Sequence, residues 1–192
     1  MRARTMASLA VLLALAFPAF AAAPIPRASP DLTIVDPTGR AVSLASFKGK
    51  VVMIEFMLVR CAGCLREAQM VNKLYGEMAG GGFQPIGVVF DEGMGGPAVR
   101  SFADALKLNY LVGYTTSDKV DGFLGRAMME RLQVPQVVLI DRTGMIRAQS
   151  RPTGEVDLTN ESHLRDLIRQ LLNEGVPPGK TGTTTNPPGT AG

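Results

Sequence analysis

Seven residues, Val51-Val-Met-Ile-Glu-Phe-Met57, form an apolar run broken by one carboxylate, and just beyond it stand both cysteines of the chain, Cys61-Ala-Gly-Cys64. A short, nearly continuous apolar run marks a strand buried on both faces, which needs sheet neighbours on either side and helices above and below. Past the first cysteine the period changes. Cys64, Ala68, Val71, Tyr75 and Met78 recur at spacings of four and three, which predicts a helix from about Cys61 to Met78 ended by Gly80-Gly-Gly82. The cysteine pair therefore opens a helix directly after a central strand.

The alternation continues along the chain. Leu32–Val35 and Ala41–Leu44 flank the turn signal Asp36-Pro-Thr-Gly39 and read as a small hairpin. Gln84–Phe90 is a second buried strand. Pro97 opens a helix with Phe102, Ala105 and Leu106 inward, and Asn109–Tyr114 is a further strand. Val120, Phe123, Leu124, Ala127 and Met128 fit a helix stripe. Val137–Ile140 and Met145–Ala148 form a second hairpin about Asp141-Arg-Thr-Gly144. Leu164, Leu167, Ile168, Leu171 and Leu172 give the cleanest helix stripe. This order predicts an α/β domain: a mixed central sheet covered by helices on both faces, with an N-terminal β-hairpin.

The ends read differently from the middle. Arg2 and Arg4, the apolar run Leu9–Phe17, Pro18 and the small residues of Ala19-Phe20-Ala21 have the layout of a secretory signal, expected to be cut after Ala21. An uncleaved membrane anchor is the minority alternative. Residues 22–30 carry three prolines and read as a linker. Residues 175–192, rich in Pro, Gly and Thr, are expected to be a disordered tail, and their Gly179-Lys180-Thr181 lacks the spacing of a phosphate loop. One folded domain over 31–174 remains. Losing residues 1–21 removes two arginines and no acid, so the formal charge falls from +3 to +1 and nucleic acid binding loses its electrostatic case.

A cysteine at a helix N-terminus meets unpaired N–H groups and the positive end of the helix dipole, both of which favour thiolate, and Arg60 and Arg66 add positive charge nearby. Cys64 lies one turn deeper on the apolar stripe. Cys61 is therefore the expected attacking thiolate and Cys64 the resolving thiol. A purely structural bridge across two residues closes too short a loop to stabilise much. A structural zinc site needs two more ligands, and the single histidine, His163, falls beside the last helix stripe. No metal, flavin or nucleotide is implied.

Gly49-Lys50-Val-Val-Met-Ile-Glu-Phe-Met-Leu-Val-Arg-Cys61-Ala-Gly-Cys64-Leu-Arg-Glu67 resembles thioredoxin-like proteins, in particular secreted thiol-disulfide oxidoreductases of the TlpA/ResA type and the related redoxins. The hairpin Leu32–Arg40 and the stretch Val134-Pro135 to Gly144 resemble theirs as well, so the likeness spans the core. The chain departs from the family pattern where tryptophans usually flank the pair, having Met57-Leu-Val-Arg60 instead. The resemblance implies a thioredoxin-like fold, exchange of a Cys61–Cys64 disulfide with protein substrates, more often as a reductase, and a periplasmic location. It further implies a membrane protein that recharges the pair, and action as a monomer.

Two residues gain roles from it. Glu55, six before Cys61, matches a buried acid that takes the proton of the resolving thiol; the plainer reading pairs it with Lys48 or Lys50. Pro135 matches a cis proline lying against the disulfide, with the backbone of Val134 pairing with the bound substrate segment; the plainer reading is a proline at a strand start. Val134, Arg60 and Met57 are the expected substrate-facing residues. Two other activities share the fold. A redoxin-type thiol peroxidase carries threonine three residues before its cysteine, where this chain has Leu58. A copper-binding assembly factor carries a wider cysteine pair and a histidine near Pro135, both missing here.

Overall fold

The computed structural model describes residues 23–126, 131–154 and 156–174. The expected signal (1–21), the tail (175–192) and the stripe residues Ala127 and Met128 lie outside these. The strands and helices follow the predicted alternation except for the first strand, and among the described residues eight strands form one sheet: β1 (Arg27–Ala28), β2 (Thr33–Val35), β3 (Ala41–Ser43), β4 (Val51–Met57), β5 (Phe83–Val89), β6 (Leu111–Tyr114), β7 (Gln136–Ile140) and β8 (Met145–Gln149). The spatial order is β1-β8-β7-β4-β5-β6-β2-β3. β4 runs parallel to β5 and antiparallel to β7, and β5 runs parallel to β6. The sheet is mixed, as expected.

The apolar run resolves into two faces because strand side chains alternate. Val51, Met53 and Met57 point into one core layer; Val52, Ile54 and Phe56 point into the other. The first layer holds α1 (Ala62–Met78) and α4 (Glu161–Asn173), with α2 (Gly96–Ala105) contributing Val99. The second holds α3 (Ser117–Leu124) through Val120, Phe123 and Leu124. Helices therefore cover both faces.

Several boundaries shift for physical reasons. α1 buries Glu67 and Leu74 in line with Cys64, Ala68, Val71 and Met78, while Tyr75 is only half-buried. In α2 the inward residue is Val99; Phe102 and Leu106 are half-buried and Ala105 is exposed. The N-terminus of α2 packs on the first turn so closely that a side chain at Gly96 would meet the Pro37 carbonyl. α3 ends at Gly125, whose φ of 63° places it in the left-handed region. Within the stretch read as a linker, Arg27 and Ala28 pair with Ile146 and Met145 to form β1. Among the described residues no helix is long and apolar enough to cross a membrane.

Far from the cysteines, Arg142 ties three segments together. Its guanidinium donates to the carbonyls of Gly49 (3.0 Å), Gly81 (2.8 Å) and Leu172 (3.3 Å), joining the loop before β4, the turn after α1 and the end of α4. Replacing it leaves those carbonyls to water. Arg142→Ala is expected to lower stability by about 2 kcal/mol, read as a shifted urea midpoint with an unchanged slope.

Candidate functional site

Three segments meet at the carboxyl end of β4. The first is the β4–α1 loop. Asp91, just past β5, accepts the Val59 N–H on Oδ2 at 2.9 Å, and Cys61 N donates to Leu58 O at 3.2 Å. This turn delivers Cys61 to the N-cap of α1, with extended φ and ψ of −88° and 110°. There its sulfur accepts the N–H of Cys64 at 3.1 Å. A free helix-terminal N–H aimed at Sγ is the donor a sulfur anion needs. Cys61 is half-buried and Cys64 wholly buried, both as free thiols.

The second segment precedes β7. The Val134–Pro135 peptide is cis, as expected, and the Val134 carbonyl faces Cys61 Sγ at 3.8 Å. Gly63 lies between them: a side-chain carbon there would stand 3.4 Å from Pro135 Cδ and 3.7 Å from Cys61 Sγ. Val134 is half-buried and Arg60 exposed, so both can meet a partner. Met57 cannot. It is fully buried, with its Cε pressed towards Gly87 of β5, and it belongs to the core rather than to the rim. The expectation that Met57 touches substrate is corrected accordingly: its position in β4 turns it inward, on the same face as Met53.

The third segment lies beneath the pair. Glu55 is 1% exposed, on the α1 face of β4, and neither carboxylate oxygen has a hydrogen-bond partner. Lys50, one of its candidate partners, bonds Gln84 Oε1 instead at 3.1 Å. Glu67, three residues beyond Cys64 in α1, is also buried and leaves Oε1 unpartnered. Burial raises Glu55 well above the usual carboxylate range, and repulsion from Glu67 and Cys61 adds to the rise. Burial likewise pushes Glu67 up to about 7, with Asp157 opposing its charge. The Cys64 thiol is pushed up by burial, by its hydrogen bond with Cys61, and by the charges of Cys61 and Glu55; a backbone hydrogen bond at Leu58 works the other way.

The arrangement places a half-buried sulfur at a helix terminus over a buried thiol and two buried acids whose proton affinity burial raises. Glu67 was not singled out from the sequence. Its signal was there, three residues after Cys64 and four before Val71, but a charged residue at a stripe position reads as the edge of the polar face.

Residues 25–149 match the AhpC/TSA family model. Peroxiredoxin Q of Suaeda salsa chloroplasts is 28% identical over 137 residues, covering 68% of this chain and 63% of that protein. The thiol-disulfide oxidoreductase ResA of Bacillus thuringiensis subsp. konkukian is 26% identical over 122 residues, covering 64% and 66%. The chain thus spans just under two thirds of the length of these curated relatives. Among solved structures, a candidate protein disulfide isomerase of Bacteroides thetaiotaomicron superposes with a TM-score of 0.64 at 30% identity, covering 79% of this chain and 92% of its own. The thioredoxin domain of a thiol-disulfide oxidoreductase from Bacteroides vulgatus superposes at 0.60 with 23% identity, covering 74% and 96%. The fold is thioredoxin-like, and the first curated thiol-disulfide relative is of the ResA type, as the motifs implied.

The Glu67 shift has a measurable sign. The unfolded chain loses this proton near 4.5, while the folded chain keeps it to about 7. Across that window the native state binds more protons, so its stability falls as pH rises. Glu67→Gln removes this contribution. Between about pH 4.5 and 8, urea unfolding is expected to show the variant gaining up to about 3 kcal/mol relative to wild type.

Proposed function

The chain belongs to the AhpC/TSA family, and from that premise we propose that it is a thiol-disulfide oxidoreductase that reduces protein disulfides outside the cytoplasm. The observation that carries this reading is the Cys61 sulfur, half-buried at the α1 N-cap with the Cys64 N–H on it and the Val134 carbonyl 3.8 Å away. The Cys61 thiolate attacks one sulfur of a substrate disulfide. A mixed disulfide forms and the first substrate thiolate leaves. Cys64 then gives its proton to ionised Glu55 and attacks Cys61 Sγ, which releases the second substrate sulfur. The substrate gains two electrons, the pair becomes the Cys61–Cys64 disulfide, and a dithiol donor returns it to the reduced state. Pro135 adjoins the pair across Gly63, and the Val134 backbone and exposed Arg60 meet the substrate.

The electrostatics support the reducing direction. A strong oxidant stabilises its reduced form, with a thiolate held by neighbouring cations or extra donors. Here Ala62-Gly63 brings no cationic side chain between the cysteines, and any charge on Glu55 beneath the pair opposes a thiolate. The signal layout of residues 1–21 supports export to the periplasm, where an oxidising pool calls for a membrane dithiol donor. The working unit is a monomer of the folded domain, β1 included. A thiol peroxidase reading draws on the 28% identity to peroxiredoxin Q, but Leu58 offers no hydroxyl to a peroxide; hydrogen peroxide consumption by the pure protein decides it.

Cys61→Ser is expected to abolish disulfide reduction, and Cys64→Ser to accumulate the mixed disulfide, visible by mass spectrometry. Glu55→Gln is expected to slow resolution at neutral pH by about tenfold or more; an unchanged rate removes its proton-accepting role. The potential of the pair, equilibrated against dithiothreitol or glutathione, is expected near the thioredoxin value of about −270 mV. A value near about −120 mV would reverse the direction and make the protein a disulfide donor.

A further inference from the structure

Gln136 takes no part in the chemistry above. It opens β7 opposite Phe56 of β4 and is wholly buried. Its Nε2 donates to the carbonyls of Gln133 and Arg151, both at 2.8 Å. Its Oε1 accepts from Thr153 Oγ1 at 2.7 Å and from Ser150 Oγ at 3.4 Å. A primary amide has two donor hydrogens and two acceptor positions, and all four are used. A buried amide that lost these partners would carry the desolvation cost of each, so the arrangement holds one geometry.

The attachment points matter more than the number of bonds. Gln133 directly precedes Val134, whose carbonyl faces Cys61. The β4–β7 pairing begins at Gln136 and does not reach the two residues before it. The loop over the cysteines is therefore held through a side chain rather than through the sheet. The other end of the tether is itself fixed: Gln149 Nε2 donates to the Thr153 and Leu124 carbonyls at 3.0 and 2.9 Å, and Arg27 Nη2 donates to Gln149 Oε1 at 2.7 Å.

We propose that Gln136 is a positioning residue for protein substrates. By anchoring Gln133 to the 150–153 turn, it sets the place of the Val134 backbone beside Cys61, and with it the grip on an extended substrate segment. It does not act on the thiol. This rests on the reading of the chain as a disulfide exchanger.

The experiment compares two disulfides: insulin in turnover with dithiothreitol as electron source, and dithionitrobenzoate in a single turnover against the pre-reduced protein freed of dithiothreitol, which would otherwise reduce that disulfide directly. Insulin presents its disulfides within a peptide backbone; dithionitrobenzoate has no backbone to pair. Gln136→Met keeps the volume and removes all four bonds, and Thr153→Val removes only the hydroxyl that holds Oε1. The KM for insulin is expected to rise about tenfold in Gln136→Met, the worth of one backbone hydrogen bond, and about threefold in Thr153→Val. The kcat and the dithionitrobenzoate rate are expected to stay within about twofold of wild type. An unchanged KM for insulin in a folded variant overturns the proposal, and so does an equal loss on both disulfides. If Gln136→Met fails to fold by circular dichroism, Thr153→Val decides by the same criteria. Wild-type protein that reduces neither disulfide overturns the exchange reading, and this inference with it.

Discussion

Every residue of β4 is buried, and the other parts of the molecule are placed by that burial. A strand hidden on both faces needs a partner at each edge, which β5 and β7 provide, and a helix layer on each side, which α1 and α3 begin. The same strand carries the chemistry in two directions at once. Its end hands the chain to the turn that seats Cys61, and its interior carries Glu55 on the face towards α1. The acid is thus fixed on the strand itself, and the sulfur stands one short, hydrogen-bonded turn beyond its end.

That burial also sets up an electrostatic conflict that the molecule keeps. Two carboxyls, Glu55 and Glu67, sit in apolar surroundings with oxygens that no donor satisfies. A fold selected for stability alone would fill such positions with leucine or methionine. Their retention beside a thiol that is itself raised gives a cluster in which each proton depends on the others, as coupled sites do. Oxidising the pair removes the Cys61 and Cys64 ionisations from the cluster, so the proton affinity of Glu55 differs between the two redox states.

How far the sequence could be read depended on how local each feature was. The strand Val51–Met57, the cap at Cys61 and the stripe through Ala68 and Val71 all follow from nearest-neighbour pattern, and all stand where expected. Glu55 and the cis Val134–Pro135 bond were reached through motif likeness rather than through periodicity. What escaped was set by contacts distant in the chain. Glu67 has a stripe position but a polar side chain, and only the packing of α1 shows which of the two prevails. Gln136 reads as an ordinary strand residue until the 149–154 segment folds back onto it. β1, two residues long, has no period to detect, and its partner lies more than a hundred residues away. Met57 was misplaced for the same reason: adjacency to the cysteines in sequence says nothing about which side of the sheet it faces.

The margins of the sheet bear on how such a protein survives contact with unfolded chains. Its two outermost strands are β1, with two residues, and β3, with three. Margins this short offer almost no row of free backbone groups on which a foreign strand could template itself. Under the proposed function, a protein that held other polypeptides by their backbone, next to a reactive sulfur, would otherwise collect them along its sides. Here the sheet closes off lateral growth, so an encounter with a client can end in release rather than in co-aggregation.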